Sequence, residues 1–254
     1  YEDFIEGIKP KLDETEKDVS FEIKDGVFKK LCLKAESDPS NNYAIFIDEI
    51  NRGNVSAIFG ELITLIETDK RIGTENEIKV KLPYSKSDFG VPSNISIIGT
   101  MNTADRSVEA LDTALRRRFS FVEIMPKPSL LSNIKFEGFT LEDVLVSINE
   151  RIEVLLDRDH TIGHSYFIKL HSGDVEGLEM VFLNNIIPLL QEYFYHNYEK
   201  IALILGEGFV KVKQNNKIKF ASFKTIDTPE IDNQFELILP IDDIENAISI
   251  LLNN

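Results

Sequence analysis

One stretch, Tyr43-Ala-Ile-Phe-Ile-Asp48-Glu49-Ile-Asn51-Arg52, restricts what this chain can fold into more than any other. A short, mostly apolar run is followed at once by two carboxylates. Such a run reads as a strand buried on both faces, as in a parallel sheet. The acids then emerge at the C-terminal end of the strand, where open α/β sheets hold their ligands. Paired acids there suit a hydrated magnesium ion held against phosphates by the first carboxylate and a water deprotonated by the second. The competing reading is a strand end with two solvated acids, and this motif alone does not separate the two.

Composition narrows the setting. With 254 residues, 43% hydrophobic and 28% charged, the chain can bury a proper core in one large domain or two small ones. A net charge of -15 argues against a bulk electrostatic grip on DNA or on an anionic membrane. Cys32 is the single cysteine, so neither an internal disulfide nor a cysteine zinc site is expected. Apolar runs such as Ile201 to Leu205 fall far short of a membrane span. The acidic start, Tyr1-Glu-Asp-Phe, is unlike a signal peptide, and the expected location is the cytoplasm. It also lacks an initiator Met, so the expectation is a piece of something longer.

Along the chain, residues 1–25 read as polar and irregular. Val27, Leu31 and Ala35 fall at helical spacing between Gly26 and Ser37. Val55, Ile58, Phe59, Leu62, Leu65 and Ile66 form one face of a helix over 54–68, with Asn54 as its N-cap. Ile78, Val80, Leu82 and Tyr84 alternate with charged residues as a half-exposed strand. Ile95-Ser-Ile-Ile-Gly99 is a second buried strand, running into Thr100-Met-Asn102-Thr-Ala-Asp105-Arg106. Ser107 caps a helix ending in Arg116-Arg117-Arg118, and Phe119 to Ile124 is a third strand. A composition shift near Lys127 to Phe136 marks a domain boundary. Beyond it, Thr140-Leu-Glu-Asp143 resembles a capping box opening a helix with Val144, Ile148, Ile152 and Leu155 on one face. Helices follow over about 175–187 and 188–205. Val210 to Val212 and Ile218 to Phe220 flank Asn215-Asn216 as a hairpin, Phe235 to Leu239 is a strand, and Ile241, Ile244, Ile248 and Leu251 mark a terminal helix.

Two further elements carry chemistry. Asn102, at the tip of the second strand, can hold a water or a terminal phosphate, or can be a plain turn residue. The arginines at 116–118 can cap helix carbonyls, stabilise phosphate charge in cis or from a neighbouring subunit, or form a DNA-contacting patch; the net charge disfavours the last.

The combination is more specific than its parts. Strand-Asp-Glu, helix, strand-Asn and helix-Arg, in this order, resemble the AAA+ nucleotide-hydrolysing motor. The wording of Phe46 to Asn54, Ile97 to Ser107 and Leu111 to Phe119 resembles the McrB family, the motor subunits of modification-dependent, 5-methylcytosine-specific restriction systems. Tyr1 to Pro10, Ile58 to Ile63 and Ile162-Gly-His-Ser-Tyr-Phe167 fit the same family. The resemblance implies that Asp48 organises magnesium, that Glu49 is the base, and that Asn102 is the first sensor. It implies that Arg117 and Arg118 are finger arginines reaching a neighbour's nucleotide, and that Asp105 and Arg106 lie at the subunit interface beside bound nucleotide. The implied cofactors are Mg2+ and GTP or ATP. The implied partners are further copies of the chain in a hexameric ring and a McrC-like nuclease, with DNA bound only indirectly, through an N-terminal domain outside these residues.

One departure is serious. No Gly-x-x-x-x-Gly-Lys-Ser/Thr occurs in the chain, so the backbone cradle, the phosphate lysine and the magnesium hydroxyl are missing. In the AAA+ sheet the strand entering that loop lies between the strand ending near Asn102 and the one at Phe119. The expected fold is therefore a partial AAA+ parallel sheet in an α/β core over residues 1–128, then a mostly helical lid with a small hairpin over 129–254. The expected alternatives are the C-terminal part of a motor, inactive by itself, or a non-catalytic AAA+ scaffold. His160 and His164 read as polar packing residues. Arg151 and Arg158 are sensor candidates only by lying on the lid's first helix, where a solvated face explains them equally well.

Overall fold

A computed structural model describes residues 1–11, 20–104, 113–213, 221, 225, 227 and 233–253. They form two units, Tyr1–Val122 and Glu123–Asn254, each with its own core. No helix among the described residues is long and apolar enough to cross a membrane.

The first unit begins with a hairpin where an irregular segment was expected. β1 (Glu6–Lys11) pairs antiparallel with β2 (Ser20–Asp25), from Glu6 opposite Asp25 to Lys11 opposite Ser20. The hairpin hides from pattern reading because burial does not follow side-chain polarity along it. Ile8, Phe21 and Ile23 are exposed, while Glu6, at the end of the same face, is completely buried. Gly26 follows, and its amide donates to the Ile5 carbonyl at 2.6 Å. A Cβ there would sit 2.3 Å from the Phe4 carbonyl carbon, so only glycine lets the two backbones approach. α1 (Val27–Ser37) then buries Phe28, Lys29, Cys32 and Ala35. This face is turned from the one expected: Val27 is exposed and Phe28 stacks on Phe4, 4.9 Å between centroids, with Phe59 edge-on.

β3 (Tyr43–Ile47) carries the organising stretch. The helix expected over 54–68 is broken. α2 (Val55–Phe59), begun by Asn54 accepting from the Ala57 amide, stops at Gly60, whose φ of +52° is left-handed. Tighter turns at Gly60–Thr64 and Thr68–Lys70 continue from there, and, of the expected apolar set, Val55, Phe59, Leu62, Leu65 and Ile66 are buried all the same, with Ile58 half-buried against them. The expected strand at 78–84 shrinks to β4 (Val80–Lys81), paired antiparallel with β5 (Asp88–Phe89).

β6 (Ile95–Gly99) pairs with β3 in parallel, Tyr43 opposite Ile95 through Ile47 opposite Gly99. Burial on both faces is not observed. Tyr43, Ile45, Ile47 and Ile97 lean on the core, but Phe46 is 72% exposed and its cross-strand neighbour Ile98 is 41% exposed. Of the helix expected after Ser107, the described part is α3 (Thr113–Arg116). The third strand expected at Phe119 to Ile124 does not form. Phe121 and Val122 are 51% and 82% exposed, Ile124 in the second unit is likewise exposed, and no strand pairs with the segment among the described residues. A lone strand has no ladder partner for its amides and carbonyls, so the apolar sequence alone cannot hold it.

The second unit opens with the small hairpin β7 (Lys135–Phe136) and β8 (Phe139–Thr140). The capping box at Thr140 is complete: its hydroxyl oxygen accepts from the Asp143 amide while the Asp143 carboxylate accepts from the Thr140 amide. α4 (Leu141–Leu155) buries Leu141, Val144, Leu145, Ile148 and Ile152 against α5 (Val175–Val181), α6 (Ile187–Tyr193), α7 (Tyr198–Leu205) and α8 (Ile244–Leu251). Between α5 and α6 the chain makes a π turn over Phe182–Ile186. Pro188 explains it: a proline cannot donate to the carbonyl four residues back, and the extra residue relieves the clash. The helix expected over 188–205 breaks at Tyr195 and His196, both at positive φ, and restarts at the Asn197 cap. β9 (Val210–Lys213) pairs antiparallel with β10 (Gln234–Leu237), so its observed partner is the Phe235 strand; the partner expected at 218–220 lies outside the described residues.

Candidate functional site

The parallel register of β3 and β6 decides where the predicted residues go. Ile47 lies opposite Gly99, so Asp48 and Glu49 leave one strand beside Thr100 of the other, two residues before Asn102. Acids and amide emerge at the same C-terminal end of the ribbon, the end at which α/β sheets bind ligands.

Thr100 is the residue sequence reasoning missed. Its hydroxyl donates in a short hydrogen bond to Asp48 Oδ1, and its Oγ1 accepts from the Glu49 amide at 3.0 Å. Its backbone amide donates to the Ile47 carbonyl at 3.0 Å and its carbonyl accepts from Ile50 at 2.9 Å. One residue thus fixes the turn that presents both acids. The available signal was a hydroxyl directly after a buried strand, one ladder step from the acid pair. Replacing Thr100 with Val, which keeps the shape and removes both side-chain bonds, is expected to cost about 1 kcal/mol of stability. Thermal unfolding measures it, and an unchanged midpoint would show that the turn holds without the hydroxyl.

Glu49 stands in the left-handed region, φ 50° and ψ 48°, uncommon for a residue with a side chain. Gly99 makes room for the turn, since a Cβ there would press on Ile50 at 3.0 Å. The Glu49 carboxylate pairs with Arg52 at 2.8 Å, a second contact the sequence did not announce. Asp48 is exposed and Glu49 half-buried. Asn102 is exposed, and its Oδ1 accepts from the Ala104 amide at 3.1 Å.

Arg117 and Arg118 follow α3 in a continuing helical turn, their amides bonded to the carbonyls of Thr113 and Leu115. Arg117 is exposed, while Arg118 pairs with Glu67 at 2.7 Å. Asp105 and Arg106 lie outside the described residues. In the second unit, His160 Nδ1 bonds Asp157 at 2.6 Å and its ring meets Tyr193 edge-on, and His164 Nδ1 accepts from the Lys127 amide at 3.1 Å. Arg151 donates to the carbonyls of Ile204 and Leu251, and Arg158, beyond the end of α4, pairs with Glu123. No group of three or more His, Cys, Asp or Glu side chains placed to hold a metal occurs among the described residues.

A parallel strand pair with two acids at its carboxyl end, joined in sequence to a helical unit, is an α/β arrangement able to hold a ligand at its strand ends, and comparison with known proteins supplies the family. Residues 1–119 match the family described as AAA domain (dynein-related subfamily), and residues 140–202 match McrB, alpha-helical lid domain. The type IV methyl-directed restriction enzyme EcoKMcrB subunit of Escherichia coli (strain K12) is 42% identical over 214 residues, covering 77% of this chain and 45% of that protein. The type II restriction enzyme BsuMI component YdiS of Bacillus subtilis (strain 168) is 26% identical over 214 residues, covering 76% of this chain and 61% of that protein. The chain therefore spans roughly half the length of these curated relatives. It belongs to the McrB-like AAA+ proteins.

Proposed function

We propose that these residues are the C-terminal part of the nucleotide-hydrolysing motor of a DNA restriction complex, with GTP or ATP as substrate. The observation that carries this reading is the β3–β6 register, which gathers Asp48, Glu49, Thr100 and the start of the Asn102 turn at one strand end. Magnesium keeps most of its waters and takes only one or two carboxylates alongside substrate phosphates, so exposed Asp48 is a fitting donor without a larger acid cluster. Bound there, the ion would neutralise charge on phosphate oxygens. Glu49 accepts the proton of the attacking water once its contact with Arg52 loosens, and Asn102 orients that water. An arginine from the 116–118 run stabilises charge on the phosphate of a neighbouring copy, so the working form is a ring, in the family's hexameric form. The E. coli relative is a subunit of a methyl-directed restriction enzyme, which supports a motor that drives a McrC-like nuclease partner against DNA bearing 5-methylcytosine.

Residues 1–254 contain no phosphate-loop motif, so this stretch alone does not turn over nucleotide. The exposed Phe46–Ile98 face and the segment at 119–122, which pairs with no strand among the described residues, suit a sheet whose phosphate-loop strand and helix are supplied by residues outside this stretch. Magnesium-dependent hydrolysis by the full-length gene product tests the reading. Glu49→Gln is expected to lower its kcat about 100-fold, or about 2.7 kcal/mol, with nucleotide still bound. A variant as fast as the parent would remove Glu49 from the chemistry. A full-length protein that does not hydrolyse nucleotide would leave the non-catalytic scaffold reading in its place. Turnover by residues 1–254 alone would overturn the claim that the phosphate loop comes from outside them.

A further inference from the structure

The three consecutive arginines after Thr113 have three different surroundings. The Arg116 guanidinium lies 6.0 Å from the Phe121 ring centroid. Arg118 Nη2 is 2.7 Å from Glu67 Oε1, with the two side chains only 20% and 32% exposed. Arg117 between them is exposed. The cause is geometric: successive side chains on a helical turn leave in directions about 100° apart, so three neighbours cannot serve one target.

We propose that Glu67 is a positioning residue for the arginine pair: it holds Arg118 inside the protomer and thereby sets Arg117 as the arginine presented to a neighbouring copy's nucleotide. The proposal rests on the hydrolytic reading above. Both ends of the contact are anchored. Glu67 follows the buried residues Leu65 and Ile66, and its amide donates to the Thr64 carbonyl. Arg118 is tied through its amide to the carbonyl of Leu115, a residue only 1% exposed. A partly buried arginine–carboxylate contact is charge-assisted and directional, so it fixes the turn that carries Arg117. It also neutralises Arg118, which leaves that guanidinium a poor stabiliser of phosphate charge. A finger that must arrive at a fixed place contributes through positioning, so loosening its anchor lowers kcat rather than raising KM.

The test uses the full-length gene product. Glu67→Gln is expected to lower kcat about 10-fold with KM within about twofold, because the substrate's own site is untouched. The exchanged pair Glu67→Arg with Arg118→Glu is expected to recover most of that loss, whereas Arg118→Glu alone is not. Arg117→Ala subunits mixed with Glu49→Gln subunits are expected to regain turnover, each type supplying what its neighbour lacks. An exchanged pair as inactive as Arg118→Ala, beside an Arg117→Ala protein of parental rate, would make Arg118 the finger and overturn the assignment. If the parent protein shows no hydrolysis, the functional reading fails and the contact is still read by thermal unfolding. Midpoint shifts of Glu67→Gln and Arg118→Gln that simply add in the double variant would show that the two side chains are not coupled, and would end the proposal.

Discussion

Replacing Glu6 with Gln is expected to destabilise the first unit by about 3 kcal/mol, a fall of about 10 °C in its unfolding midpoint. Glu6 is fully buried, yet every part of its carboxylate is engaged. Oε1 accepts from the amides of Tyr84 and Ser85 at 2.9 and 3.0 Å, and Oε2 accepts from Lys29 Nζ at 2.9 Å. Lys29, its side chain 9% exposed, also pairs with Asp25 at 2.6 Å. One side chain therefore ties the β1–β2 hairpin to α1 and to the turn at Tyr84. Glutamine has the right size but presents an NH2 where only acceptors are wanted, and it leaves a buried ammonium with one carboxylate instead of two.

The same residue predicts a pH dependence. Burial pushes the Glu6 carboxyl up, but hydrogen bonds from Ser85, Lys29 and the Tyr84 amide outweigh it and hold the group at about 2 against an ordinary 4.5. A carboxyl depressed in the folded state contributes stability that is complete above its unfolded value and lost as pH falls toward the folded one. The parent should therefore lose stability between about pH 4.5 and pH 2 by a step that Glu6→Gln lacks. Parallel acid-unfolding curves for the two proteins would show that folding does not lower the Glu6 pKa.

What could be read from sequence, and what could not, follows from the range of each interaction. The strand ahead of Asp48, the second strand ahead of Thr100 and the capping box at Thr140 are local patterns, and each forms where its residues said. The parallel pairing of those strands then places Asp48, Glu49 and Asn102 at one end, so the site's location was legible before its geometry. The contacts that hold the site were not. Thr100 reaches back more than fifty residues to Asp48, and Glu67 reaches forward as far to Arg118; neither partner is marked by local spacing. The opening hairpin was missed because its buried position carries a carboxylate and its apolar residues are exposed. The strand expected at Phe119 failed for the opposite reason: its apolar pattern is sound, but a strand needs a neighbour that the described residues do not supply.

Arg151 shows how far a nominated residue can move once its partners are known. On α4 it was a candidate nucleotide sensor, indistinguishable from a solvated helix face. In the fold its Nη1 donates to the Ile204 carbonyl at 2.6 Å and its Nη2 to the Leu251 carbonyl at 2.7 Å. These carbonyls belong to the last turns of α7 and α8, where helices leave acceptors unmatched and the dipole favours a cation. Both arms of the guanidinium are thus committed to closing the ends of two helices on a third. Arg151→Met keeps most of the stem's packing and removes both charge-assisted bonds, so it is expected to cost about 3 kcal/mol in the second unit. Urea unfolding measures the loss as a lower midpoint at unchanged slope. Arg158→Ala is the control: that arginine and its partner Glu123 are 56% and 59% exposed, and breaking such a pair should change stability by less than about 1 kcal/mol. An Arg151→Met protein of parental stability but weakened nucleotide affinity would return Arg151 to the role of sensor and show that the two helix ends close without it.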